Sequence, residues 1–491
     1  MPTFAHTSIG TLVGQRDQGV AVFKGVEYAL PPTGERRFAP PAPMTPWQYQ
    51  RDAGWPSPIA PQTPSRLAPA MGNFTKRMDE DCLTVTLWTP EPDAAKRPVL
   101  VWLHGGAWVS GAGSLDWYDG ARLAREGDMV VVNINHRLGA LGYLKHPALP
   151  ADDLGTLDQI EALRWVHANI SAFGGDPDCV TLMGQSAGAA SIGRLLADPR
   201  ANPLFHRAIL QSGGFGRAPL SLAEAYVTGA QVIREAGLDP DAPDILAELR
   251  DIPVDTLLAA TGAVARANAG FAQTNPPFMP TTPEPMTQAA LFAAIAAGAQ
   301  GKQILIGATH DEIHAFFASN PAMHDPDWTA SAKRFAELAR RPDAMERYKA
   351  RRPGGTLMDW LADLVSDHTF LWPTMRLAET LAAAGVPTQA YQFDWAPHAS
   401  PFRACHCIEL PFVFGNFAQW PDAGMLQGGD AAEMDGLSAI VRRAWTAFAR
   451  SGNAALPELP WPNYDATERR TMVLNAVCAV MGDPAGLDSR A

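Results

Sequence analysis

The most restrictive stretch of this chain is Gly184-Gln185-Ser186-Ala187-Gly188, which directly follows the branched apolar run Cys179–Met183 (CVTLM) and opens a small-residue and aliphatic segment, Ala189–Leu196. A Gly-x-Ser-x-Gly pentapeptide is common by chance in a glycine-rich chain, but between a strand and a helix it has a specific use. It forms a turn so sharp that side chains at the two glycine positions would strike neighbouring backbone, and it presents the serine, strained and exposed, at a helix N-terminus. The chain must therefore supply a sheet whose strands run into helices, and Ser186 is a candidate nucleophile.

The rest of the sequence provides such a sheet. Pro98–Leu103, Met129–Ile134, Val180–Met183, Ala208–Leu210 and Gln303–Ile306 are short branched apolar runs that end in glycine, histidine or polar turn residues, the pattern of strands covered on both faces. Between them, Leu157, Ile160, Leu163, Val166 and Ile170 recur at helical spacing. Alternating strands and helices predict an α/β fold with a central, mostly parallel sheet flanked by helices. Two Ala-rich helical segments, roughly 221–299 and 327–385, interrupt the later strands and read as insertions over the active-site end of the sheet. No repeat or Pro/Ser/Gly linker divides the chain, so a single domain over 1–491 is expected despite a length that would accommodate more.

Composition narrows the partners. The 491 residues carry 51 acidic and 39 basic side chains, a net charge of −12, which argues against a nucleic-acid polyanion and weakly favours neutral or cationic small molecules. The first fifteen residues have no Lys or Arg and no continuous apolar run, and the longest nearly apolar stretch, Ala289–Ala299, is too short to cross a bilayer. Five cysteines (Cys82, Cys179, Cys405, Cys407, Cys478) show no CxxC spacing and speak against a disulfide framework. A reduced, cytoplasmic enzyme is the expectation, with a mature secreted chain as the alternative. Oligomeric state is not encoded legibly, a monomer being favoured.

A second motif bears on chemistry. His104-Gly105-Gly106-Ala107 ends the strand PVLVWL, where small residues let backbone N–H groups approach a reacting carbonyl. Gly106, Ala107 and Ala187 are the candidate oxyanion-hole donors, and His104 reads as a structural residue at the loop base. A serine nucleophile also needs a base and an orienting acid further along the chain. Asp311, Glu312 and Asp394 are the acid candidates; His310, His314, His324, His368, His398 and His406 are the base candidates. Spacing does not choose among them, although His406 follows the last clear strand.

Motifs across nearly the whole chain then carry a resemblance. They are Val22-Phe23-Lys24-Gly25-Val26 with Tyr28, Pro31-Pro32 and Arg37-Phe38; EDCLTVTLWTP from Glu80; WLHGGAW from Trp102; and NHRLGALGYL from Asn135. FGGDPDCVTLMGQSAG from Phe173, LFHRAILQSG from Leu204, HDE ending at Glu312, and CHCIELPFVFG from Cys405 complete the series. The chain resembles the type-B carboxylesterases, the family of bacterial para-nitrobenzyl esterases, animal carboxylesterases and cholinesterases. The resemblance implies an α/β-hydrolase fold, a serine esterase acting on small-molecule esters without a cofactor or metal, and a triad of Ser186, Glu312 and His406.

Departures from the family pattern carry expectations of their own. Gln185 stands where most relatives have Glu, which predicts poor turnover of choline-type esters; Ile313 replaces a glycine after the acid, and Ala107 a third loop glycine. Cys82 sits where secreted relatives often form a disulfide, but no cysteine precedes it. Trp108, Phe215, Phe271, Phe278, Phe316, Phe317 and Trp328 fall near the expected loops and are candidates either for a pocket lining or for plain core packing. Three rival readings remain: a carbamate or amide hydrolase using the same triad, a non-catalytic adhesion-type relative, and a metal site at Cys405-His406-Cys407. In an extended segment the last has its middle side chain pointing away from the other two.

Overall fold

In a computed structural model that describes residues 2–487, twelve strands follow one another across a single twisted sheet: β1 (Thr3–Thr7), β2 (Gly10–Asp17), β3 (Val20–Glu27), β4 (Thr84–Thr89), β5 (Arg97–Leu103), β6 (Val130–Ile134), β7 (Gly175–Gln185), β8 (Arg207–Gln211), β9 (Gln303–Thr309), β10 (Thr388–Phe393), β11 (Arg470–Leu474) and β12 (Ala479–Gly482). Their spatial order is β1-β2-β3-β4-β6-β5-β7-β8-β9-β10-β11-β12, with Gln50–Asp52 added beside β2. From β6 through β11 every pairing is parallel. The strands β1 to β4 and the last pair are antiparallel, an edge that the search for continuous apolar runs does not see because β1 alternates buried and exposed residues.

The central strands are apolar throughout because both faces are covered. Along β5, Val99, Val101 and Leu103 pack into one core with Ile160, Leu163 and Val166 of helix α1 (Leu154–Asn169) and with Ala189, Ile192 and Leu195 of α2 (Ala187–Ala197). Leu100 and Trp102 point the other way, onto Leu437, Val441, Trp445 and Phe448 of α3 (Ala431–Ser451). Successive residues of one strand thus serve two cores, and each fully buried aliphatic side chain contributes about 1.5–3 kcal/mol of transfer free energy. A buried, bidentate ion pair between Arg137 and Asp158, at 2.8 and 2.6 Å, ties the segment after β6 to α1.

Register decides where chemistry can occur. Leu103, Gly184, Leu210 and Ile306 pair in a row across β5, β7, β8 and β9. The segments that leave these strands therefore emerge at the same carboxyl edge, the place where α/β sheets hold ligands. Between β8 and β9 lie the helices Leu222–Glu235, Ile245–Asp251, Val254–Ala267 and Gln288–Gly298; between β9 and β10 lie Trp328–Ala339, Ala344–Arg351, Leu357–Ser366 and Trp372–Ala383. Reciprocal capping boxes at Ser221/Glu224 and Thr356/Asp359 start two of these helices. Among the described residues no helix is long and apolar enough to cross a membrane.

Candidate active site

Ser186 lies at the bend between β7 and α2 with φ 57° and ψ −122°, a conformation that non-glycine residues adopt only where the surroundings enforce it. Its N–H donates to the carbonyl of Gln211 at 2.8 Å, and its own carbonyl accepts from Ala190 N–H at 2.9 Å. A Cβ on Gly188 would fall 2.0 Å from the carbonyl oxygen of Leu103, so this glycine is what lets α2 start hard against the end of β5. The serine side chain is only partly covered, whereas its neighbours on both sides are buried.

The loop after β5 closes against this bend, for a Cβ on Gly105 would lie 3.1 Å from Ser186 Cβ. Gly106 has φ +119°, and a Cβ there would sit 1.9 Å from Ser110 O; Ala107 and Trp108 follow at φ 56° and 57°. The backbone thus takes three consecutive positive φ values at this loop. Among the described residues, the N–H groups of Gly106, Ala107 and Ala187 donate to no protein acceptor. Trp108 anchors the loop through Nε1 to Ser191 Oγ at 3.0 Å. His104 bonds through Nδ1 to Gly105 O at 2.7 Å and stacks on His136; burial, and then the neighbouring ring, push its pKa down to about 3, so it is a neutral prop for the loop.

His406 and Glu312 meet on the other side of the bend. His406 Nδ1 donates to Glu312 Oε2, both side chains being almost wholly buried. Glu312 is fixed in turn by Thr309 N–H donating to Oε1 at 2.9 Å, and the two backbones join where His406 N–H donates to Glu312 O at 3.1 Å. With Nδ1 donating, the hydrogen-bond network assigns the tautomer in which Nε2 carries the free lone pair. That nitrogen accepts from the Gln185 amide, Nε2 to Nε2 3.2 Å, and none of the described hydrogen bonds joins it to Ser186 Oγ. The ring is therefore at the elbow but turned to the residue before the serine. Phe370 and Phe316 flank it, with ring centroids at 4.8 and 5.7 Å.

The other candidates are engaged elsewhere. Asp311 accepts from Arg352 at 2.6 Å and lies 3.1 Å from His310 Nδ1, and Asp394 accepts from Gln392 at 2.9 Å. His314 faces Asp359, His324 faces Ala318 O, His368 packs edge-on against Trp372, and His398 is exposed. Cys405 and Cys407 are buried free thiols whose pKa values burial drives upward. Of the aromatic candidates, Trp108 and Phe215 line a small concavity next to α2, together with Ala190, Arg194, Arg217 and Met279. Phe317 and Phe278 belong to cores, whereas Phe271 and Trp328 are exposed. Phe370 and Arg217 carry no mark in the sequence, since no local pattern identifies a side chain whose partners are supplied by distant loops.

A strained serine on a strand-to-helix bend, free amides beside it and a buried His–Glu pair at the same bend, all at the carboxyl edge of a mostly parallel sheet, define an α/β-hydrolase. The Carboxylesterase family profile matches residues 2–481, and the chain belongs to that family; it is a carboxylic ester hydrolase. It is 37% identical over 488 residues to the phenmedipham hydrolase of Pseudarthrobacter oxydans, covering 96% of this chain and 94% of that one. It is 35% identical to the para-nitrobenzyl esterase of Bacillus subtilis (strain 168) over 97% and 96% of the two chains. The crystal structure of a Geobacillus stearothermophilus carboxylesterase superposes with a TM-score of 0.87 at 34% identity, over 99% of both chains.

Proposed function

We propose that the chain hydrolyses esters by two-step acyl transfer, with Ser186 as nucleophile, His406 as general base and acid, Glu312 as its orienting carboxylate, and the N–H groups of Gly106, Ala107 and Ala187 as the oxyanion hole. The observation that carries this reading is the Nδ1–Glu312 bond, because it leaves Nε2 unprotonated at the elbow. The mechanism requires Nε2 to exchange the Gln185 amide for Ser186 Oγ, and catalytic hydrogen bonds of this kind often tighten only when substrate is bound. The serine oxygen then attacks the ester carbonyl as His406 takes its proton; the three amides hold the oxyanion; His406 returns the proton to the departing alkoxide; and water repeats the sequence on the acyl-enzyme.

An alkoxide leaves with less assistance than an amide nitrogen, so esters are expected to be the fastest substrates. Carbamate hydrolysis by the same residues is the second reading, favoured by the name of the phenmedipham hydrolase. Turnover of a p-nitrophenyl ester, a phenylcarbamate and an anilide ranks the three; a carbamate or anilide faster than the ester would reverse the assignment. A fluorophosphonate probe is expected to label Ser186, and failure to label would favour a non-catalytic, adhesion-type protein.

The Gln185 contact adds a prediction. In Gln185→Glu a carboxylate replaces the amide beside His406 Nε2 and places a negative charge at the elbow. The same charge should raise the efficiency on a cationic ester relative to its neutral isostere. If that ratio does not move, Gln185 is not an electrostatic determinant of this site.

A further inference from the structure

We infer that this site is built for esters carrying a second, free carboxylate, which Arg217 and Arg66 receive together; the inference rests on the esterase reading above. Arg217, in the segment after β8, stacks over Phe370 at 5.3 Å, and Arg66 stands over Phe316 at 5.9 Å. These are the two rings that flank His406, so each carries a guanidinium on the wall of the catalytic site.

The two cations converge. Arg217 Nη2 and Arg66 Nη2 each donate to the carbonyl oxygen of Thr274 at 3.3 Å, and Arg217 Nη2 donates also to Thr274 Oγ1 at 2.7 Å. Nitrogens sharing one acceptor at this distance are close enough for a single carboxylate to bridge. Arg217 Nε is sealed from solvent and has no acceptor, an arrangement that leaves a charge-assisted donor unused in the free protein. Arg194 joins Arg217 in the same concavity beside α2 and bonds only to Pro280 O, at 3.0 Å.

Among the described residues no carboxylate is bonded to these guanidiniums, although Glu312 attracts Arg217 from beyond hydrogen-bonding distance. Among the described residues none of the three arginines forms an ion pair; Glu312 is held by His406 and Thr309, and Asp153, the acid nearest in effect to Arg194, is taken by Lys145 at 3.0 Å and by Thr281. Burial, and then repulsion from Arg66, hold the Arg217 pKa down at about 10, still far above neutrality. In a chain of net charge −12, unpaired guanidiniums over the two rings that flank His406 are a local reversal of sign. It opposes the preference for neutral or cationic ligands that overall charge suggests. Uncharged esters do not use it, whereas an ester with a carboxylate relieves the repulsion between Arg217 and Arg66.

The test compares charged and uncharged members of two ester pairs: 4-nitrophenyl hemiadipate against 4-nitrophenyl hexanoate, with the carboxylate on the acyl side, and 3-carboxyphenyl hexanoate against phenyl hexanoate, with it on the leaving group. In the wild-type enzyme at low salt, kcat/KM for the charged member is expected to exceed that of its counterpart in at least one pair, by about 10–100-fold, and the preference should shrink as salt rises. Arg217→Gln is expected to cut that charged-to-uncharged ratio at least tenfold, with Arg217→Lys intermediate and Arg66→Gln, at the exposed rim, a second variant should the first not fold. A ratio at or below one in both pairs, or a ratio unmoved by both Gln variants, overturns the inference. Because the uncharged esters report the catalytic machinery alone, their hydrolysis without preference for charge would sink this inference only, while failure on all four esters would sink the triad assignment as well.

Discussion

Ser186→Ala is expected to lower kcat on a p-nitrophenyl ester by a factor on the order of 10⁶, with little change in KM. The size follows from what is lost: the covalent acyl-enzyme cannot form, and His406 has no hydroxyl to deprotonate. What survives are the amides of the oxyanion hole and the pocket, which can still favour direct attack by water, so activity should not fall to the uncatalysed rate. The Ala side chain removes one oxygen at a partly covered position, and the contacts that hold the bend are made by backbone, Ser186 N–H to Gln211 O and Ala190 N–H to Ser186 O. Unfolding midpoints of variant and parent should therefore agree closely, which separates loss of chemistry from loss of fold. Steady-state kinetics on variant pre-treated with a fluorophosphonate, which silences any parent enzyme carried over, decides the matter. Retention of more than about 1% of kcat would mean that another group attacks the ester.

How far the sequence could be read depends on how local each signal is. The bend at Ser186 is legible because its glycines, strand and helix lie within twenty residues, and Leu103 and the loop after it sit across the neighbouring strand in register. The buried parallel strands are legible because both faces need apolar side chains. The partnership of His406 with Glu312 is not, since 94 residues separate them and Asp311 and Asp394 offer the same chemistry at similar positions. Resemblance rather than spacing preferred Glu312. In the structure the immediate neighbours diverge: Asp311 turns to Arg352 while Glu312 turns to His406, a difference made by the tight turn after β9 that no periodicity reveals. The arginines over Phe370 and Phe316 lie further out of reach. Arg66, Arg217 and Thr274 come from three separate loops and meet only once the sheet has brought those loops to one edge.

The second large effect is expected at Glu409, three residues beyond His406, where a carboxyl is buried beside the site without a cation. Its Oε1 accepts from Gln211 Nε2 at 3.3 Å, and its Oε2 has no partner. Burial, and then the charge of Glu312, push its pKa up to about 8 from an ordinary 4.5. Because the folded value lies above the unfolded one, the native state keeps a proton that the unfolded chain gives up. The stability linked to this group is complete below pH 4.5 and is lost as pH rises through about 8, at about 1.4 kcal/mol for each unit in between. Glu409→Gln removes the titration while retaining the size of the side chain and its capacity to accept from Gln211. Denaturant unfolding at several values between pH 5 and 8 should show the parent losing stability relative to the variant as pH rises, so that the gap between the two curves grows steadily toward the alkaline end. Groups titrating elsewhere affect both proteins alike and cancel in that difference. Parallel curves would show that Glu409 ionises freely in the folded protein. They would also remove the electrostatic link to Glu312, because a carboxylate at 409 next to a charged Glu312 has no cation within hydrogen-bonding distance to offset the repulsion. The same link predicts that Glu312→Gln, by deleting that repulsion, lowers the folded pKa of Glu409, so that the loss of stability is smaller and ends at lower pH.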